Sequence, residues 1–192
     1  MHRLSASFVL AYHGCDRSVG EKLPLGKGSF RKSDNAYDWL GPGMYFWQSN
    51  PSRAMQFAVE KRNSNQGIRR PFVIGAVIDL GLCLDLTTKE SLEEVQDAHQ
   101  SLIATLEEGG GQAPLNGPAV WMRYLDCAVI RRLHAIIADS GSPPIDTVRG
   151  IFQEGDPIYP GSAFFEKTHI QIAVVNSHCV KAVFRVQQPV IP

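Results

Sequence analysis

Strongly apolar segments near both ends of the chain constrain its fold most. Residues 8–12 read FVLAY and residues 71–80 read PFVIGAVIDL, and the second run is long enough to predict a central strand. Further along, THIQIAVV and AVFRVQQPVI predict two more strands. Residues 87–138 show helical periodicity instead. This order predicts an α+β fold whose sheet is assembled from both ends of the chain.

Turn and capping residues divide the chain further. The run GMYFW follows Gly41-Pro42 and predicts a strand, and Asn50-Pro51 predicts the start of a helix. Two more helices are predicted, from Thr87 or Thr88 to about residue 106 and from residue 116 to about residue 138. The first strand is expected to end in a turn at residues 13–14. Residues 16–40 are expected to be a long loop. Val148 to Phe152 is predicted to be a strand, followed by a Gly/Pro loop that reaches about residue 167.

Composition limits the function classes. The 192 residues suit a single domain spanning 1–192, and 19 basic residues balance 19 acidic ones, so no basic excess favours non-specific nucleic-acid binding. The cysteines are far apart and form no C-x-x-C pair, so neither structural zinc nor a disulfide framework is expected. Because no apolar run reaches membrane-spanning length, we expect a cytoplasmic protein with no membrane partner.

Three motifs occur in a recognisable order. Tyr-His-Gly ends the first strand, Gly-Pro-Gly-Met-Tyr-Phe precedes the helix of residues 51–57, and His-Ile-Gln-Ile-Ala-Val-Val lies near the C-terminal end. Together they resemble the catalytic domain of the ADP-ribosyltransferases related to poly(ADP-ribose) polymerases, the His-Tyr-Glu type. The resemblance implies two packed, antiparallel-rich sheets around an NAD cleft with flanking helices. It also implies NAD+ as the substrate and no metal.

The resemblance assigns roles to several residues. The backbone of Gly14 would bind the nicotinamide carboxamide, and His13 would bind the adenosine ribose. Tyr45 would line one face of the nicotinamide ring, and Phe57 could cover the other. The family often carries a carboxamide-binding serine on the next helix, where this chain has Ala54, with Ser52 close by.

The last motif departs from the family pattern. The family has a glutamate where this chain has Gln171, and an amide can bind a ribose hydroxyl but cannot act as a base. Either the domain is weakly active or inactive, or the acceptor needs little deprotonation, or another carboxylate substitutes. Glu154 and Glu166 are the candidates for that substitution.

The resemblance therefore implies a mono-ADP-ribosyltransferase with a protein or nucleic-acid acceptor. Small standalone domains of this family are often toxins or defence effectors, for which an antitoxin would be a further partner. The loop of residues 139–166, with Tyr159 and Phe165, would recognise the acceptor. The alternatives are an NAD-binding domain without transfer activity, which serves as a sensor or interaction module, and an NAD glycohydrolase.

Overall fold

A computed structural model describes residues 7–190, and residues 1–6 and 191–192 lie outside the described part of the predicted domain. The described strands are β1 Phe8–Asp16, β2 Met44–Gln48, β3 Pro71–Asp79, β4 Cys83–Asp85, β5 Thr147–Phe152, β6 His169–Val174 and β7 Val180–Arg185. The described α-helices are α1 Arg17–Gly20, α2 Pro51–Asn63, α3 Lys89–Glu108 and α4 Tyr124–Asp139. The same described residues contain two short 3₁₀ turns, at Leu23–Leu25 and Ser177–Cys179.

The seven described strands form one mixed sheet in the order β4-β5-β6-β2-β1-β3-β7. All neighbours are antiparallel except β4 and β5, which are parallel. The α+β class is confirmed, but the expectation of two packed sheets is wrong for the described residues. The reason lies in β2, which pairs with β6 along one edge and with β1 along the other. It thereby joins the two halves into a continuous sheet.

The contact between β1 and β2 is short. The two strands pair only at Ala11–Gln48 and Tyr12–Trp47 within the described chain, whereas β1 pairs with β3 along all nine of its residues. Beyond Tyr12 the two strands diverge. A gap therefore opens in the middle of the sheet rather than at one of its edges.

The longer helices cover one face of the sheet. Ala54 and Met55 of α2 pack with Trp47 and Val73, and Ile130 of α4 belongs to a second cluster on the β5–β6 half of the sheet. Cross-strand partners share a face because side chains alternate along each strand. The opposite face holds a separate cluster that includes Ala11, Phe46 and Ile172. The buried core therefore lies on both sides of a single sheet.

The predicted helix starts were partly correct. Asn50 Oδ1 accepts a hydrogen bond from the Arg53 N–H at 2.9 Å, and the Thr88 side chain caps α3 in the same way. The helix expected from residue 116 begins instead at Tyr124. Asn116 still acts as a cap, but from the preceding loop, where its Oδ1 accepts from the Leu125 N–H at 3.0 Å.

The turn expected at residues 13–14 is also wrong, because β1 continues to Asp16. Local sequence favours a turn at His13-Gly14, but both residues pair with β3, opposite Ile74 and Val73. This long-range pairing keeps the backbone extended. His13 and Gly14 therefore lie inside a strand, beside the gap between β1 and β2.

Candidate functional site

A cavity of about 880 Å³ opens at the gap between β1 and β2. Its volume lies within the range of roughly 300–1,000 Å³ that is typical of small-molecule sites. Six of the residues predicted for a site line it: His13, Gly14, Tyr45, Phe57, Glu154 and Gln171. They come from three strands, one helix and the loop after β5, so the fold brings together residues that are far apart in the sequence.

Gly14 presents backbone polar groups to this gap. The Leu10 C=O accepts a hydrogen bond from the Ser49 N–H, so Leu10 points its peptide groups towards β2. Strand alternation then directs the N–H and C=O of Tyr12 and Gly14 to the same side. Tyr12 still pairs with β2, but Gly14 lies beyond the last pair. One donor and one acceptor of the main chain therefore face the cavity.

His13 bridges the diverging strands with its side chain. Its Nδ1–H donates to the Tyr45 carbonyl oxygen at 2.8 Å, which fixes the tautomer and leaves Nε2 as an acceptor. The imidazole also packs against Phe30 and Phe46, with ring centroids 5.3 and 5.5 Å away. Burial lowers the pKa of His13, and the bond to the carbonyl opposes this only in part. The neutral imidazole is therefore the favoured form at pH 7.

Tyr45 lines the cavity while its hydroxyl group is engaged elsewhere. The hydroxyl accepts from the Leu40 N–H at 3.1 Å and donates to the Gly41 carbonyl at 2.9 Å. Burial raises the pKa of Tyr45 well above its ordinary value, and the nearby Asp38 raises it further. The phenol therefore stays neutral and ties β2 to the turn that precedes it.

An aromatic wall stands beside Tyr45. Trp47 follows on the same face of β2, and its ring lies 4.8 Å from that of Phe57 on α2, measured between centroids. Trp47 is 2% exposed, and its indole nitrogen is buried with no hydrogen-bond partner in the described chain. Phe57 is half-buried and carries Lys61 over its ring, with the ammonium 5.3 Å from the centroid. Both rings line the cavity, and Phe57 is the more exposed of the two.

Gln171 is opposite Trp47 in the β2–β6 register and lines the cavity. Its Oε1 accepts a hydrogen bond from the Trp39 indole N–H at 2.7 Å. Trp39 comes from the loop before β2 and also lines the cavity. The side chain of Gln171 is thereby held in one orientation.

Glu154 is paired with a buried arginine. Arg53 is 7% exposed and donates from Nη2 to Glu154 at 2.6 Å, and its Nη1 is 3.4 Å from Glu60. Lys167 reaches Glu60 at 3.0 Å. Two cations and two carboxylates thus form a network that links α2 to the segments flanking the loop after β5. This network holds Glu154 against the cavity.

Three of the predicted residues do not line the cavity. Ser52 is exposed on the first turn of α2, and Ala54 is fully buried beneath it. Glu166 is exposed, and its carboxylate accepts from the Asp156 N–H at 3.3 Å. A Cβ at Gly14 would overlap the Ala54 carbonyl oxygen. The glycine is therefore required for the close approach of α2 to β1.

The aromatic residues expected to contact an acceptor also lie outside the cavity. Tyr159 is exposed on the loop after β5, which closes on itself through a bridge between Pro157 and Phe165. Other rings line the cavity instead. Tyr37 contacts Trp121 and Tyr124 edge-to-face, with ring centroids 5.4 and 6.1 Å apart.

Sequence reasoning missed Trp39, Trp47 and Arg53. An arginine on a helix usually indicates a solvated surface, and a tryptophan in a polar loop gives no periodic signal. Trp47 is within the predicted strand, where alternation puts it on the face of Tyr45, so this residue could have been found.

Two features are absent from residues 7–190. No group of three or more His, Cys, Asp or Glu side chains could hold a metal ion. None of the described helices is both long and apolar enough to cross a membrane.

Comparisons with protein-family models, with curated proteins and with solved structures find no match to this chain.

Proposed function

We propose that the cavity binds NAD and that the chain is a mono-ADP-ribosyltransferase acting on a protein or nucleic-acid acceptor. The observation that carries this proposal is that residues of all three motifs line one cavity, Tyr45 and Gln171 on one face of the sheet and His13, whose imidazole packs on Phe46, on the other. Their convergence was expected from motif order alone. If the three motifs had no common function, there would be no reason for them to line the same cavity.

The gap beside Gly14 suits the nicotinamide carboxamide. A carboxamide has an N–H donor and a carbonyl acceptor, and the N–H and C=O of Gly14 face the gap as their complement. Tyr45 and Phe57 supply aromatic surfaces for the pyridine ring. Such aromatic contacts contribute about 0.5–1.5 kcal/mol beyond the burial of area.

His13 suits a sugar hydroxyl. With Nδ1–H bound to the Tyr45 carbonyl, the neutral ring retains Nε2 as an acceptor, to which a ribose hydroxyl can donate. Phe30 and Phe46 hold the imidazole from its sides. In this proposal His13 orients the adenosine half of the dinucleotide, while Gly14 orients the nicotinamide half.

The reaction breaks the bond between the nicotinamide nitrogen and the ribose carbon. The electron pair leaves with nicotinamide, positive charge develops on the ribose, and an acceptor oxygen or nitrogen bonds to that carbon and releases its proton to solvent. Negative charge near the ribose stabilises this transition state. Gln171 carries none, so we assign this role to Glu154, which lines the cavity in its pair with Arg53.

Gln171 also favours a second candidate function, NAD binding without transfer. An amide at this position can hold a ribose but cannot accept a proton. If a missing anion is what limits the reaction, Gln171→Glu will raise nicotinamide release above that of the unaltered protein. Unchanged release would instead favour Glu154 as the group that already supplies the charge.

The test uses NAD labelled in its adenylate phosphate, incubated with the protein and either a cell lysate or single-stranded and duplex nucleic acid. Labelled macromolecule and free nicotinamide in equal amounts are expected. His13→Ala should abolish both, whereas His178→Ala, a change at an exposed histidine, should alter neither.

Other outcomes separate the alternatives. Nicotinamide release without a labelled acceptor would make the protein a glycohydrolase, and saturable NAD binding without release would make it a binding module. Absence of NAD binding would refute the proposal in all its forms.

A further inference from the structure

Trp39 is held beside Gln171 by a hydrogen bond to that residue and by a ring contact with Phe152. The Trp39 indole nitrogen is 2.7 Å from Gln171 Oε1, and its ring packs on Phe152 with centroids 5.0 Å apart. Trp39 belongs to the loop before β2, whereas Gln171 is in β6. The pair therefore fixes a loop residue to the centre of the sheet.

Gly150 provides the space in which the indole lies. It is opposite Gln171 in the β5–β6 register, and an added Cβ would come within 2.7 Å of Trp39 Cη2. The φ angle of Gly150 is outside the left-handed region, so its backbone does not demand glycine. Glycine is needed at this position because a side chain would occupy the space of the Trp39 indole.

The turn after Trp39 is fixed as well. The hydroxyl of Tyr45 accepts from the Leu40 N–H and donates to the Gly41 carbonyl, so both residues that follow Trp39 are tied to β2. Gly41 adopts φ 74°, which allows the chain to turn there. Tyr45 thus supports the position of Trp39 through the backbone.

The chemistry of this pair decides how Gln171 faces the cavity. An indole N–H is only a donor, so it must bond to the amide oxygen rather than to the NH2 group. The oxygen and nitrogen of a glutamine amide are hard to tell apart, but here the indole donor determines which of the two faces Trp39. With Oε1 engaged by Trp39, the Nε2 group is the part of Gln171 that remains for a ligand.

We propose that Trp39 is a positioning residue that presents Gln171 Nε2 to the cavity as a hydrogen-bond donor. The subsite then takes an acceptor oxygen of the dinucleotide, from either a ribose hydroxyl or a phosphate. This inference rests on the proposed function, because it assumes that NAD occupies the cavity. It makes Gln171 a specificity-determining donor rather than a disabled base.

The hydrogen bond itself can be tested without any ligand. In ¹H–¹⁵N spectra of the labelled protein, the Trp39 indole N–H should exchange slowly with solvent. Gln171→Met keeps the side-chain length and removes the acceptor, so exchange at Trp39 should accelerate at least tenfold. Equal exchange in both proteins would overturn the proposal, since the indole would then be protected by burial alone.

NAD affinity tests the positioning role through a double-mutant cycle. Trp39→Phe and Gln171→Met should each weaken NAD binding about fivefold to tenfold, the effect of one hydrogen bond. The double variant should be no weaker than Gln171→Met, because there is then no amide to orient. Additive losses would overturn the proposal and assign Trp39 an independent packing role.

A second variant guards against a general folding defect in Trp39→Phe. Gly150→Ala displaces the indole and leaves both partners chemically intact, so it should reproduce the loss of affinity. Its matched control is Gly109→Ala, where the nearest atom to the added Cβ is an ordinary 3.5 Å away. Full NAD affinity in Gly150→Ala, with the Trp39 bond shown to be lost, would overturn the proposal.

The two hypotheses fail in different ways. Loss of NAD binding in His13→Ala but not in Gln171→Met would overturn the role of Gln171 and leave the proposed function standing. Absence of NAD binding by the unaltered protein would overturn the proposed function itself. Nicotinamide riboside has no phosphate, so a weakened affinity of Gln171→Met for it would identify the ribose as the source of the oxygen.

Discussion

The substitution Tyr45→Phe probes the link between the cavity and the turn that carries Trp39. It removes one hydroxyl and keeps the buried ring. The Gly41 carbonyl loses its donor at 2.9 Å, and the N–H of Leu40, a residue with no exposed surface, loses its acceptor at 3.1 Å. An orphaned buried N–H costs about 1–3 kcal/mol and the second bond about 1 kcal/mol, so we expect a loss of about 2–4 kcal/mol.

Urea denaturation followed by tryptophan fluorescence measures this loss. The slope of the unfolding free energy against urea should not change, because the surface exposed on unfolding is the same. Tyr12→Phe is the matched control: Tyr12 shares this face of the sheet, and its hydroxyl makes no hydrogen bond within the described chain. Equal effects of the two substitutions would refute the argument that the phenol holds the turn.

Three further predictions concern β1. Gly14→Ala should lower the unfolding free energy by about 3 kcal/mol, since the new Cβ overlaps the Ala54 carbonyl, whereas Gly109→Ala should change it by under about 0.5 kcal/mol; similar urea midpoints would contradict this. The Arg70 N–H, Ser18 and the Arg69 N–H lower the pKa of Asp16, whose two carboxylate oxygens both accept hydrogen bonds. Asparagine has only one accepting oxygen, so Asp16→Asn should cost about 1 kcal/mol at pH 7 and progressively less below about pH 4; a pH-independent difference would be inconsistent with this. Burial lowers the pKa of His13, so below about pH 6.5 the unfolded chain binds more protons than the folded protein does. The unfolding free energy should therefore decrease as the pH is lowered from about 6.5 to the pKa of His13 in the folded protein. His13→Gln should flatten that decline in urea titrations between pH 5 and 8, and an unchanged profile would exclude His13 as its source.

Local signals predicted the secondary structure well. Asn50 and Thr88 accept the capping bonds that their positions indicated, and the apolar runs became β3 and β6. Errors arose where distant pairing outweighs local preference. β1 continues through His13-Gly14 because β3 pairs with it throughout, and Asn116 caps α4 from a loop eight residues before its first residue, Tyr124.

The candidate site likewise contains residues that the sequence predicted and residues that it did not. Motif order predicted that His13, Tyr45 and Gln171 would meet. No local feature could indicate that Arg53 would be buried against Glu154, because the two are joined only when the loop after β5 folds onto α2. Trp39 is a similar case, since its partners Gln171 and Gly150 become neighbours only through sheet pairing.

The short contact between β1 and β2 has a mechanical consequence. Within the described residues, three strands on one side and four on the other are joined along this seam by two residue pairs, the backbone hydrogen bond from Ser49 to Leu10 and the His13 side chain. A molecule bound in the gap would contact both halves of the sheet at once and would bridge its shortest strand pairing. Ligand binding should therefore reduce the motion of the two halves relative to each other, including at residues that do not contact the ligand.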